Sequence, residues 1–224
     1  MNDDIYIIGG GASLRDFDFT KLKDKICMTI NYSVVNVPDC KYFVTMDYTF
    51  IDYIKDKTKN KLTRAEFMAL PCEKYFVVAT NNKYIQEENG QYVDMRSGYK
   101  YNLDGIDKVI ESNTEYGIGR SFRNFVHGCN SGFCGLQLAI LLGYKNIHLL
   151  GFDLDFQYDT HYHMSYTQNR GKFIKGLESY KKHFYVAIGH IKSHRHGITL
   201  YNYAENGFLS KFLITKTLES IDES

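Results

Sequence analysis

The feature that most constrains this chain is a short apolar run that ends in three consecutive glycines. Residues 5–8 are Ile-Tyr-Ile-Ile, and Gly9, Gly10 and Gly11 follow shortly before Ser13. Such a run is typical of a buried strand that feeds a tight turn. Because glycine has no Cβ atom, the turn can approach a ligand closely, and backbone amides at a helix start suit phosphate. A purely structural turn explains the three glycines nearly as well.

The turn does not match the two best-known phosphate-binding motifs. In the dinucleotide-binding pattern G-x-G-x-x-G, started at Gly9, the third glycine would fall on Leu14. A Walker-type loop needs a Gly-Lys-Ser/Thr triplet, and none follows this turn. The sequence therefore argues against a conventional dehydrogenase and against a P-loop ATPase.

Several further β-branched or aromatic runs stop at a small or polar residue. They predict strands at residues 26–30, 42–46, 75–79, 146–150 and 198–201. Asn31, Asp47 and Gly151 directly follow three of these runs. Strands whose carboxyl ends carry such residues fit a parallel sheet with its ligand crevice along that edge.

Two segments between these runs predict helices. The clearer one begins near Asn130, continues with apolar residues at helical spacing, and ends where Gly143 can adopt a left-handed conformation. Residues 172–191 predict the second. The alternation indicates one α/β domain over residues 1–224, Rossmann-like and doubly wound, with a mostly parallel sheet and helices on both faces. The less regular stretch 82–126 predicts a hairpin or lid-like insertion.

A second glycine-flanked helix start lies at residues 128–132. Asn130 and Ser131 can cap the first turn, and Gly132 follows them. Simple capping explains this motif when it is considered alone. Two glycine-rich helix starts on one sheet edge are harder to explain by structure alone, and together they predict sites for the phosphate and ribose of a nucleotide.

The third group of candidates follows the strand at residues 146–150. Asp153 lies at its carboxyl end, where open α/β sheets present functional groups. His161 and His163 are two residues apart, and either can act as a general base that removes a proton from a hydroxyl acceptor. The same groups could instead bind a divalent metal, or the histidines could be incidental to a polar loop.

Charge and cysteine content narrow the functional classes. The formal net charge of +1 gives no support for strong binding to nucleic acid or to an anionic membrane. Five irregularly spaced cysteines predict free thiols rather than a disulfide framework. No apolar run approaches the roughly 18 to 20 residues of a membrane span, and no signal peptide is recognisable, so we expect a cytoplasmic protein. The sequence leaves the acceptor and a homo-oligomeric state open.

The assembled motifs resemble a family of bacterial α-2,3/2,8-sialyltransferases from Campylobacter-like organisms. The resemblance rests on residues 7–14 (Ile-Ile-Gly-Gly-Gly-Ala-Ser-Leu), on Asn-Ser-Gly at 130–132 and on the strand that ends in Gly-Phe-Asp at 151–153. The same layout occurs in motility-accessory-factor and hydroxymethylpterin pyrophosphokinase-like domains. It is also similar to phage proteins that carry a Thr-His-x-His loop, here residues 160–163.

The resemblance implies a transferase that uses a nucleotide-activated donor and has no obligatory metal. It further implies that Gly9, Gly11, Ser13, Asn31, Ser131, Gly132 and Gly151 bind the donor, with Asp153 in the donor pocket. The motifs themselves add Gly10, Asp47 and Asn130 as donor-binding candidates, and the positions of Asp153, His161 and His163 make them the catalytic candidates. The chain carries Gly10 and Asp47 where the sialyltransferases carry asparagine.

Three functions follow as hypotheses. The first is transfer of a sugar from a nucleotide donor to a hydroxyl, with His161 or His163 as the base. The second is Mg²⁺-dependent transfer of pyrophosphate from ATP to a hydroxymethyl group, with Asp47 and Asp153 as metal ligands. The third is a non-catalytic nucleotide-binding protein, because a fold alone does not fix a function.

Overall fold

The structure, a computed structural model, describes residues 3–47, 50–54, 62–80, 85–88, 91–95, 97–113, 115–155, 170–194 and 197–223. In chain order, the strands are β1 (Asp4–Ile8), β2 (Cys27–Ile30), β3 (Tyr42–Thr45), β4 (Glu73–Ala79), β5 (Ile85–Glu88), β6 (Gln91–Asp94), β7 (Tyr99–Lys100), β8 (Lys108–Asn113), β9 (Phe125–Val126), β10 (Asn146–Leu150), β11 (Thr199–Asn202) and β12 (Ile214–Thr215). The α-helices are α1 (Phe50–Tyr53), α2 (Arg64–Ala69), α3 (Ser131–Leu141) and α4 (Arg170–His194).

One sheet of nine strands organises the chain, in the order β12-β11-β10-β1-β2-β3-β4-β8-β9. Every neighbouring pair in this sheet is parallel. The chain builds outward from β1 to β9, crosses back through α3 to β10 beside β1, and then builds outward in the other direction. The strand order therefore reverses between β1 and β10, which is where doubly wound sheets open a ligand crevice.

Alternate side chains of β1 enter two separate cores, as the period of a strand requires. Ile5 and Ile7 belong to the core under α3 and α4, whereas Tyr6 and Ile8 belong to the core on the opposite face. That opposite face is covered by α1, α2 and several short 3₁₀ segments. The doubly wound α/β fold with helices on both faces is thus confirmed.

Both long helices form where the sequence predicts them. Asn130 caps α3, because its side-chain oxygen accepts a hydrogen bond from the amide of Phe133 at 3.0 Å. Nearly all of α3 is buried, since it lies between the sheet and α4. Helix α4 presents a narrower apolar stripe that includes Phe184, Ala187, Ile188 and Ile191 at helical spacing.

The stretch 82–126 is not one continuous insertion. Its first part forms a separate antiparallel sheet in the order β5-β6-β7. Its second part returns to the main sheet, where β8 pairs with β4 and β9 extends the edge. The prediction missed β8 because its residues alternate between exposed and buried, as befits a strand near the sheet edge. None of the helices in the described part of the chain has the length and apolar character that crossing a membrane requires.

Candidate functional site

A cavity of about 720 Å³ opens at the carboxyl ends of β1, β2, β3, β10 and β11. It lies at the reversal of strand order, where the turn after β1 faces the turn after β10. Every predicted site residue that the structure describes lines it: Gly9, Gly10, Gly11, Ser13, Asn31, Asp47, Asn130, Ser131, Gly132, Gly151 and Asp153. Residues far apart in sequence are thus brought together around one space.

His161 and His163 fall in residues 156–169, outside the described part of the chain. The residues on both sides of that stretch can still be placed. Asp155 lines the cavity before it, and Leu177 and Tyr180 of α4 line the cavity after it. The described residues before this stretch therefore end beside the cavity, and α4, which follows it, lines the cavity through residues in its second and third turns.

Gly9 and Gly11 are required mainly because the turn after β10 packs closely against the turn after β1. The amide of Gly11 donates to the carbonyl of Gly151 at 2.9 Å. A Cβ atom on Gly9 would lie 2.7 Å from that same carbonyl oxygen, and one on Gly11 would overlap the carboxylate of Asp153. Close packing of the two turns therefore explains both glycines without a ligand.

The segment after this turn is not the phosphate-binding helix start that the sequence predicts. Residues 12–14 form a single 3₁₀ turn (Ala12–Leu14) rather than an α-helix. The amide of Ser13 already donates to Asp153 Oδ2 at 3.0 Å. The carboxylate of Asp153 thus lies where the sequence predicts a phosphate beside Ser13. Because both groups are negatively charged, the carboxylate would repel a phosphate at this place.

Asp153 is held from both of its neighbouring turns. Besides the contact with Ser13, its backbone carbonyl accepts a hydrogen bond from Phe208 at 2.9 Å. A Cβ on Gly207 would lie 2.6 Å from that carbonyl oxygen, so the turn after β11 also packs closely against it. These contacts hold Asp153 in the cavity wall.

Three side-chain oxygens around the cavity are buried without a hydrogen-bond partner among the described residues. They are Ser13 Oγ, Asn31 Oδ1 and Asp153 Oδ1. An unpaired buried polar atom costs free energy, so such atoms mark places where a ligand or water is expected. Two of the three, Asn31 Oδ1 and Asp153 Oδ1, can only accept hydrogen bonds, so a hydroxyl or an amino group would satisfy them if a side-chain shift opened them to the cavity.

Unfavourable backbone conformations also concentrate at the cavity. Among described residues other than glycine, four have a positive φ, and three of these, Asn31, Cys129 and Leu154, line the cavity. A positive φ is uncommon for residues with a Cβ atom, and it clusters at functional sites. This clustering supports a binding role for the cavity rather than an incidental gap.

The second predicted helix start, at residues 128–132, has side chains that serve partly to stabilise the fold. The side-chain oxygen of Asn130 is engaged as the cap of α3. The hydroxyl oxygen of Ser131 accepts a hydrogen bond from the amide of Met46 at 3.1 Å, which ties α3 to the end of β3. The first amides of a helix have no hydrogen-bond partner within the helix. In α3, which has eleven residues, the amides of Ser131 and Gly132 are therefore the donors that can reach a ligand in the cavity.

Carboxylates dominate the charged side chains of the cavity. Among the described lining residues, six are acidic and Arg15 is basic; the acidic ones are Asp16, Asp47, Asp153, Asp155, Glu205 and Glu219. An anionic part of a ligand must therefore rely on backbone amides, whereas hydroxyl and amino groups find many acceptors. Within the described residues, no cluster of three or more His, Cys, Asp or Glu side chains is arranged to hold a metal ion.

Sequence reasoning missed part of the cavity wall. Residues 203–207, which follow β11, line it together with Leu218 and Glu219 from the C-terminal 3₁₀ segment. The turn signal after β11 could have indicated the first group, because all carboxyl ends of a parallel sheet share one edge. The C-terminal contact depends on tertiary packing and has no local sequence signal.

Comparison with solved structures relates this fold to known enzymes. The sialyltransferase CstII from Campylobacter jejuni, in complex with the substrate analogue CMP-3FNeuAc, is 16% identical with a TM-score of 0.52, and the match covers 96% of this chain and 86% of that chain. The monofunctional α-2,3-sialyltransferase Cst-I from the same organism is 16% identical with a TM-score of 0.53, over 97% of this chain and 81% of that chain. This chain has a sialyltransferase-like fold.

CstII in complex with cytidine-5′-monophosphate also matches, at 17% identity and a TM-score of 0.50, over 96% of this chain and 85% of that chain. No protein-family model and no curated protein matches the sequence. The sialyltransferase-like fold agrees with the resemblance found in the motifs. At this level of identity the fold is shared, and the function must be argued from the cavity.

Proposed function

We propose that this protein is a glycosyltransferase that moves a sugar from a nucleotide-activated donor to a hydroxyl acceptor. The observation that carries the proposal is the cavity at the reversal of strand order, which the carboxylate-bearing Asp153 and the first residues of α3 line together. A nucleotide offers hydroxyl and amino donors to a carboxylate and a phosphate to helix amides, and α/β sheets bind nucleotides at this place.

The polar groups of the cavity suggest how the nucleotide donor is oriented when it binds. Asp153 and Ser13 suit ribose hydroxyls or a base amino group, because the carboxylate disfavours phosphate beside it. The amides of Ser131 and Gly132 suit the phosphate, because they start an eleven-residue helix whose dipole favours negative charge. We therefore place the nucleoside against the turns after β1 and β10 and the phosphate toward α3.

The proposed reaction needs one base and one anion-stabilising group. The acceptor O–H bond breaks as its proton passes to an imidazole nitrogen of His161 or His163. The acceptor oxygen then bonds to the anomeric carbon, and the bond from that carbon to the phosphate oxygen breaks. Its electron pair leaves with the nucleotide, whose developing charge the N-terminus of α3 stabilises.

A CMP-linked sugar is the first donor to test, since the structural neighbours were solved with CMP and CMP-3FNeuAc. Gly10 and Asp47 stand where the sialyltransferases have asparagine, so we also expect altered recognition of the base or sugar. UDP-, GDP- and dTDP-sugars therefore belong in the same panel.

The acid-rich lining favours a second candidate, Mg²⁺-dependent pyrophosphate transfer. Asp47 and Asp153 both line the cavity and are carboxylates of the kind that Mg²⁺ prefers. The two candidates differ in their response to a chelator. Glycosyl transfer as proposed continues in EDTA, whereas pyrophosphate transfer stops.

Cys129 provides a direct test of nucleotide binding in the cavity. It is exposed and lines the cavity, whereas the other four cysteines are buried. Maleimide should therefore modify the native protein at this thiol, and a Cys129→Ser variant should show only background labelling. We expect one nucleotide of the panel to slow labelling at least about tenfold when present at 100 times its Kd, since bound protein dominates at that ratio. Unchanged labelling with every nucleotide would contradict the proposal.

A further inference from the structure

We infer that His127 is a positioning residue that holds the turn leading into the phosphate-binding end of α3. This inference rests on the proposed function for its effect on donor binding. The imidazole does not itself line the cavity. It acts through the neighbouring turn at residues 127–130, of which Cys129 and Asn130 do line it.

The turn has a conformation that suits Gly128 but not Cys129. Gly128 and Cys129 have φ values of +56° and +55°, and the amide of Asn130 donates to the carbonyl of His127 at 3.2 Å. Two successive positive φ values inside such a hydrogen bond define a type I′ turn, whose central positions favour Gly, Asn and Asp. Cys129 is therefore held in a left-handed conformation that a residue with a Cβ atom resists.

His127 supplies the hydrogen bond that holds this residue. Its Nδ1 accepts a hydrogen bond from the amide of Cys129 at 2.9 Å. Its carbonyl accepts from Cys134 Sγ at 3.3 Å, which anchors the turn to α3. The ring of Phe133 packs where a Cβ on Gly128 would lie, so the turn cannot shift toward α3.

The imidazole must be neutral, with its proton on Nε2, because Nδ1 is an acceptor. Burial, with a smaller contribution from His183, lowers the pKa of His127 to about 4, which keeps the ring neutral at ordinary pH. The side chain is 3% exposed, and its Nε2 has no hydrogen-bond partner in the part of the chain that the structure describes. The bond to Cys129 is therefore the polar contact that the ring makes within that part.

Two polar substitutions of His127 distinguish a role in holding the turn from a role in filling the core. His127→Asn keeps an acceptor oxygen where Nδ1 lies, whereas His127→Gln moves its oxygen to the place of Nε2. With the best nucleotide sugar of the panel, we expect His127→Gln to raise the donor KM about tenfold with kcat changed less than about threefold. His127→Asn should stay within about twofold of wild type for both constants.

A second readout needs no nucleotide. Loosening of the turn should raise the rate of maleimide labelling of Cys129 severalfold in His127→Gln, with wild-type rates in His127→Asn. Cys129→Gly should recover most of the KM loss in the His127→Gln background, because glycine adopts the left-handed conformation unaided. Equal behaviour of the two His127 variants in labelling would overturn the inference. If wild type binds no nucleotide, the proposed function fails while the labelling comparison still decides the role of His127.

Discussion

Simultaneous replacement of His161 and His163 by asparagine is expected to reduce donor turnover by about 10²- to 10⁴-fold, the usual contribution of a general base. Donor binding should remain within a few fold of wild type, because the carboxylate of Asp153 and the amides of α3 are unchanged. Turnover and nucleotide affinity should be measured on the same preparation. The two single variants then show which histidine carries the proton.

His194→Asn is the matched control for the double variant. This histidine is exposed at the end of α4 and does not line the cavity in the described structure. It should turn over donor like the wild-type protein. Loss of nucleotide binding in the double variant would show that the histidines hold the donor, and the assignment of a base would then be wrong.

Asp153→Asn is expected to weaken nucleotide binding by about 10- to 100-fold, since hydrogen bonds to charged groups contribute about 1.5–3 kcal/mol. The amide can still accept from Ser13 through its oxygen. The amide is uncharged, so the charge-assisted hydrogen bond that the carboxylate is proposed to accept from the ligand is lost. Isothermal titration with the preferred nucleotide measures the loss.

Asp16→Asn separates this specific contact from the general charge of the cavity. Asp16 lines the same cavity but is exposed. Screening by solvent should limit its effect to less than about threefold. Equal losses in the two variants would indicate that net charge, rather than a hydrogen bond from the ligand to Asp153, governs binding.

Local sequence signals were sufficient for the centre of the fold. Strands β1, β2, β3 and β10 are rich in apolar residues because both of their faces are buried, and such segments are visible without tertiary information. Helix α3 was visible through its cap at Asn130. The outer strands could not be predicted in the same way. β9 and β12 each have two residues, and their pairing depends on neighbours distant in sequence.

The sequence predicted where the candidate site lies better than it predicted the contacts of each residue. The rule that parallel strands present their carboxyl ends on one edge was enough to gather Asn31, Asp47 and Asp153 around one cavity. For Gly9 and Gly11 the structural alternative suffices, because a Cβ atom at either position would overlap the turn after β10. His127 gave no signal, since its contact with Cys129 depends on a backbone conformation that composition does not reveal.

The most direct test of the central claim is the release of free nucleotide from CMP-, UDP-, GDP- and dTDP-sugars by the wild-type protein in EDTA, with an ATP reaction in Mg²⁺ alongside. The proposed function predicts that one class of nucleotide sugar is consumed over many turnovers in the presence of the chelator. Consumption of ATP alone, dependent on Mg²⁺, would contradict it, as would tight nucleotide binding with no donor consumed.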